Sequence, residues 1–148
     1  MKKYKSFLDE VQLKRIKSDI PRAQIKSAKD AADYIKQFFF DDMEIFESFF
    51  LIILNRSNNT MGYAKISQGG ISGTVVDVRI IVKYCIDILG SSAIVGHNHP
   101  SGNLRPSKAD NDITIKLKEA LNYFDIKLLD SLILTTDNYF SFADEGHL

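Results

Sequence analysis

The stretch that most constrains this fold runs from Glu47 to Leu54, where Phe49-Phe-Leu-Ile-Ile-Leu54 offers no polar position at all. A strand wetted on one side alternates apolar and polar residues, so a run without a polar phase must be covered on both faces. Such a strand belongs inside a sheet that carries a layer on each side. The polar turn Asn55-Arg-Ser-Asn-Asn59 follows, and Thr60 to Ser67 returns with Met61, Tyr63, Ala64 and Ile66, which predicts a hairpin. Upstream, Ser27-Ala-Lys-Asp30 is a cap-like start for a helix with Ala28, Ala31, Ala32, Ile35, Phe38 and Phe39 on one face, and Asp41 and Asp42 mark the loop after it. Downstream, Asp77 is placed to cap a helix with the stripe Val78, Ile81, Val82, Cys85, Ile88 and Leu89, closed by Gly90. Ser92 to Gly96 reads as a short buried strand. Ser107 begins an amphipathic helix with Ala109, Ile113, Leu117, Ala120, Leu121 and Phe124 on one side. Ile126 to Thr135 and Tyr139 to Phe142 are two more strands around an Asp137-Asn138 turn. The order α-β-β-α-β-α-β-β predicts an α/β fold, a mixed sheet sandwiched by helices.

A length of 148 residues suits one domain with a sizeable core. The 19 basic and 19 acidic residues cancel, which argues against a chain whose main task is gripping nucleic-acid backbones. The charge is uneven, however. Residues 1–26 hold eight Lys or Arg, among them Lys2, Lys3, Lys5, Lys14 and Lys17, against three acidic residues, a local surplus of five. This segment shows weak helical periodicity (Phe7, Val11, Leu13, Ile16, Ile20) ended by Pro21, and reads as a basic N-terminal extension ahead of a domain over 27–148. Cys85 is the single cysteine, so neither a disulfide nor a cysteine metal site is available, and it reads as a small core residue. No apolar run is long enough for a secretory signal or a membrane span, and a cytoplasmic protein is expected.

The chemistry concentrates in His97-Asn-His99-Pro-Ser-Gly102-Asn-Leu-Arg-Pro106-Ser107-Lys-Ala-Asp110. Side chains alternate along a strand, so His97 and His99 share a side if strand geometry persists to residue 99. Two imidazoles on one side of a strand end make half of a zinc site. Asp110 offers a third ligand and leaves a fourth position for water, as in a catalytic zinc centre. Ser107-x-x-Asp110 is also nearly a capping box, and the two roles are compatible, because Asp110 lies one turn into the helix. Gly69-Gly70-Ile-Ser-Gly73-Thr74 suits either the lining of a groove or a plain connection. Other zinc chemistries do not fit. A deaminase needs H-x-E with a later P-C-x-x-C, and a zincin needs H-E-x-x-H. Cys85 has no placed histidine to serve a thiol protease. His147 lies in the C-terminal tail and reads as solvated.

The spacing His97-x-His99, seven residues, Ser107, two residues, Asp110 resembles the JAMM (JAB/MPN) zinc metalloprotease motif. The longer run His97-Asn-His-Pro-Ser-Gly102, with Pro106-Ser107, Asp110 to Thr114, Leu128-Leu129-Asp130 and Tyr139-Phe-Ser-Phe142 to Glu145-Gly146, resembles more narrowly the RadC family of bacterial proteins. The resemblance covers residues 27–148. It implies an α-β-α sandwich of the JAB/MPN, cytidine-deaminase-like type, with Zn²⁺ held by His97, His99 and Asp110. It also implies a catalytic glutamate on the first strand, for which Glu47 has the right distance to Leu54-Asn55, with Glu44 as the second candidate. Ser107 would be the hydrogen-bond donor to the reacting carbonyl. The implied activity is hydrolysis of a peptide or isopeptide bond in a peptide or protein substrate; the alternative is a non-catalytic, DNA-repair-associated module that keeps the fold and the metal site. Two departures stand out. The helix-hairpin-helix region that usually precedes this domain is expected to be missing, and Ser131 stands where a histidine often follows Asp130.

Overall fold

The computed structural model describes residues 7–12, 14–40, 42–69 and 74–148. Lys2, Lys3, Lys5, Leu13, Asp41 and the proposed groove-lining residues Gly70 to Gly73 lie outside the described residues. Among the described residues the elements are α1 (Ala28–Lys36), β1 (Ser48–Leu54), β2 (Thr60–Gln68), α2 (Val78–Asp87), β3 (Ser92–Asn98), α3 (Lys108–Tyr123), β4 (Lys127–Leu134) and β5 (Tyr139–Ser141), with a 3-10 turn over Gln37–Phe39 after α1. This is the expected order. The strands form one mixed sheet in the order β2-β1-β3-β4-β5, in which only β3 and β4 run parallel.

Every residue of β1 is buried, as the apolar run Phe49 to Leu54 demands, and so is every residue of the neighbouring β3. Alternation sends Phe49, Leu51, Ile53, Ala93 and Val95 to one face, where they meet Ile81 and Cys85 of α2 and Leu117 and Leu121 of α3. Phe50, Ile52, Leu54 and Ile94 point the other way, onto Ala31, Ala32 and Ile35 of α1 and Phe39 beyond it. The sheet is therefore covered on both sides, and the α-β-α sandwich follows. Gly96 keeps the second interface thin, because a Cβ there would lie 2.7 Å from Ile35 Cδ1.

Three details depart from the sequence expectations. Residues 7–26 contain no helix among those described, and Phe7, Val11 and Ile16 are exposed, so their spacing has no surface to pack against. Residues 21–25 lie against the domain: Ile25 is buried in the α1-side core, Gln24 bridges to Asn59, and Tyr34 Oη donates to the Pro21 carbonyl at 2.9 Å. Contact with the fold thus begins before residue 27. In α2 the stripe ends at Ile88. Leu89 takes a left-handed φ of 56° and is exposed, with its N–H on the Ile86 carbonyl and the Gly90 N–H on the Cys85 carbonyl. That is the double hydrogen bond of a left-handed helix terminus, here formed by leucine where glycine is usual. Gly90 is needed for a different reason, since a Cβ would sit 2.3 Å from Ile53 Cγ2.

Candidate metal centre

The strand ladder carries the histidines as the alternation requires. His97 pairs with Phe49 on β1 and with Ile133 on β4, and the His99 N–H continues the ladder to the Leu134 carbonyl at 2.9 Å. Strand geometry thus persists past the end of β3, and both imidazoles emerge on the α2/α3 side. Phe49 stacks against the His97 ring with centroids 5.8 Å apart and planes 5° apart. Continuing the Phe49↔His97 register by two residues places Glu47 opposite His99, on the same face. From the other side, Ser107 caps α3. Its Oγ accepts from the Asp110 N–H at 3.0 Å, and its own N–H donates to Asp110 Oδ2 at 2.8 Å, completing a capping box.

These constraints converge. Glu47, His97, His99 and Asp110 each offer a ligand atom, and the four atoms lie within 4.8 Å of one another. The two Nε2 atoms are 3.1 Å apart; Asp110 Oδ1 is 3.1 Å from that of His97 and Oδ2 is 3.2 Å from that of His99. Two nitrogen ligands about 2.1 Å from a tetrahedral ion would be separated by about 3.4 Å. The three separations lie close to that spacing, so this donor set fits a metal ion. Glu47 Oε1 stands further off, 3.9 Å from His97 Nε2 and 3.8 Å from His99 Nε2. Glu44, the second candidate, accepts instead from Thr136 Oγ1 at 3.0 Å and is not part of the cluster. Ser131, where a histidine is expected by resemblance, is buried and accepts from the Thr114 hydroxyl at 3.2 Å. His147 is exposed, edge-on to Phe140.

Comparison with known proteins shows the family. A model of the RadC-like JAB domain matches residues 25–147. The chain belongs to the RadC-like JAB domain family. It is 48% identical over 100 residues to a UPF0758 protein of Flavobacterium johnsoniae, covering 68% of this chain and 44% of that one. It is 41% identical over 103 residues to a UPF0758 protein of Porphyromonas gingivalis, covering 69% and 45%. It is also 38% identical over 102 residues to the UPF0758 protein YfjY of Escherichia coli, covering 69% and 64%. The chain spans about half the length of the first two relatives.

The electrostatics of this RadC-like site favour a bound cation. Burial alone would raise the Asp110 pKa, but the hydrogen bonds from His97 and His99 overwhelm it and hold the carboxyl far below the usual range. Burial opposes protonation of His99, yet its hydrogen bonds to Asp110 and to the Asn103 carbonyl, with the charges of Asp110 and Glu47, raise its pKa above the ordinary histidine value. The site thus draws positive charge, which a proton supplies when no metal does. The His99 Nδ1–H donates to the Asn103 carbonyl at 2.6 Å, so that in the neutral ring it is the Nε2 lone pair that faces the cluster. The centre opens into a cleft of about 880 Å³, walled by Phe49, Val76 and Ile113 and edged by Arg105 and Lys116. Sequence reasoning did not single out two contributors. Asn103 acts through its backbone, which leaves no trace in residue type. Asn98 had a signal: alternation places it with Ile94 and Gly96 on the buried α1 face, where a polar side chain needs partners. No helix among the described residues is long and apolar enough to cross a membrane.

Proposed function

We propose that the chain is a Zn²⁺-dependent hydrolase of amide bonds, acting on a peptide or isopeptide in the cleft. The observation that carries this reading is the contrast in distance: His97, His99 and Asp110 approach one another to 3.1–3.2 Å, while the Glu47 carboxylate stands 3.8 to 3.9 Å from the two Nε2 atoms. His97, His99 and Asp110 would hold the ion. When bound, Zn²⁺ supplies a Lewis acid that lowers the pKa of water to about 7. Glu47 is too far back to need a place among the ligands and near enough to hydrogen-bond a water beside them. It takes a proton from that water and passes it to the leaving amine. The Ser107 oxygen accepts from the Asp110 N–H, so its hydroxyl proton is free to donate to the carbonyl oxygen as negative charge develops there. Two carboxylates, Asp110 and Glu47, balance a divalent charge in a partly buried setting.

Metal analysis and thermal unfolding with added Zn²⁺ test the first half. Free Zn²⁺ at a hundred times its Kd is expected to stabilise the chain by up to about 2.7 kcal/mol, and His97→Ala to abolish the gain. Hydrolysis of peptide and isopeptide substrates tests the second half. Turnover should vanish on chelation and in Glu47→Gln, while Glu47→Gln still binds Zn²⁺. Unchanged turnover after chelation refutes the mechanism. A metal-binding chain in which Glu47→Gln alters nothing favours the non-catalytic, DNA-repair-associated module.

A further inference from the structure

Asn98 stands between the two histidines, and alternation turns its side chain to the opposite face of the sheet. The β1–β3 register would place Ser48 opposite Asn98, yet backbone pairing stops one step earlier, at Phe49↔His97. The Asn98 side chain takes over at that step. Its Oδ1 accepts from the Ser48 N–H at 2.8 Å. Its Nδ2 donates to the Phe46 carbonyl at 2.7 Å and the Met43 carbonyl at 2.9 Å, with the Asp42 carbonyl at 3.1 Å sharing the same two hydrogens. The residue is fully buried and its hydrogen-bonding capacity is used on backbone alone.

Phe46 and Ser48 flank Glu47. One carboxamide therefore grips the peptide groups on both sides of that residue, as a neighbouring strand would, and does so where 42–47 belong to no helix or strand. The Glu47 carbonyl accepts from the Gly69 N–H at 2.8 Å on the β2 side, so the backbone is held extended from both edges. Its side chain is thereby directed to the histidine face. A second tie reinforces the turn: the Ser48 hydroxyl donates to Asp42 Oδ2 at 3.0 Å, and Lys65 Nζ pairs with the same oxygen at 2.8 Å.

We propose that Asn98 is a positioning residue, which holds the Glu47 carboxylate against the two histidine Nε2 atoms by clamping the peptide groups before and after it. The functional consequence rests on the metal-centre reading; the clamp itself does not. The spacer of His-x-His is then a working part, since one three-residue segment supplies two donors on one face and, on the other, the hold on the group that faces them.

Two measurements on the full chain test this. In the metal-free protein, amide exchange of Ser48 is expected to quicken at least tenfold in Asn98→Ala, with the Phe50 and Ile52 amides unchanged. Asn98→Ser, whose hydroxyl is too short to span the Phe46 carbonyl and the Ser48 N–H together, should quicken Ser48 exchange likewise; this variant serves if the alanine variant does not fold. The second measurement is Co²⁺ affinity in a double-mutant cycle. Asn98→Ala should weaken binding severalfold in the wild-type background and less than twofold in Glu47→Gln, because its effect passes through Glu47. Equal losses in both backgrounds overturn the proposal. If the wild-type chain takes up no Co²⁺, the metal-centre reading fails, and unchanged Ser48 exchange in Asn98→Ala then overturns the clamp independently.

Discussion

Gly96 and Ile35 give a sharp test of how the strand that feeds the site is packed. Gly96→Ala places a methyl 2.7 Å from Ile35 Cδ1, while Cγ1 and Cγ2 are both 3.7 Å away, at ordinary contact distance. Ile35 is fully buried, so its terminal methyl must move by close to 1 Å into a filled core. Overpacking of this kind costs about 1–3 kcal/mol, and the reduced freedom of the unfolded chain returns about 0.4–1 kcal/mol, leaving a loss of about 1–2 kcal/mol. Ile35→Val alone removes the one offending atom and costs about 0.5–1.5 kcal/mol. The two changes together should cost less than their sum by at least about 1 kcal/mol, because valine leaves the new methyl only its 3.7 Å neighbours. Urea unfolding of the four proteins, with the m-value as a check on a common unfolded state, measures this coupling. Additivity to within about 0.5 kcal/mol would refute the packing argument, as would a Gly96→Ala variant no less stable than wild type.

Two further outcomes follow from side chains described above. Burial pushes the Cys85 thiol up to about 12, so the folded chain keeps it neutral while the unfolded chain ionises it from about pH 9 upward. Stability should therefore fall with rising pH across that window, by about 1.4 kcal/mol at pH 10, and the Cys85→Ala variant should lack this component of the slope in parallel denaturant titrations. An unchanged difference between the two proteins from pH 8 to 11 would contradict it. At Ser107, alanine should cost about 1 kcal/mol of stability through loss of the cap, and glycine only a few tenths. Both variants remove the hydroxyl, so both should lose amide hydrolysis alike; turnover that tracks stability instead would assign Ser107 to capping alone.

Much of this was legible in the sequence because hydrophobic patterning and helix-capping residues agreed. The apolar run of β1 fixed a strand covered on both sides, and the caps at Ser27, Asp77 and Ser107 marked where helices start. The histidines were legible because period-two alternation needs no tertiary knowledge. Glu47 was harder, since a carboxylate at a strand end is usually just solvated; its role depends on a register across fifty residues. Alternation marks Asn98 as a polar side chain on a buried face, but its partners exist only once both strands are placed. The end of α2 departs from the apolar stripe for a physical reason: Gly90 answers to the bulk of Ile53, and the left-handed position falls on Leu89, which apolar spacing alone assigns to the buried face. Apolar spacing in the N-terminal segment misled in the opposite sense, since periodicity stabilises a helix only where a surface receives it.

The distribution of the donors along the chain bears on how metal and folding are coupled. His97, His99 and Asp110 fall within a short continuous segment, whereas Glu47 joins them only when β1 pairs with β3. An unfolded chain therefore already carries three donors close enough to share an ion. Any affinity it retains would subtract from the stabilisation that a metal bound as proposed would confer on the folded form. Such a metal would accompany the chain through folding rather than reward its completion, and the finished sheet would contribute the fourth group, Glu47, beside it.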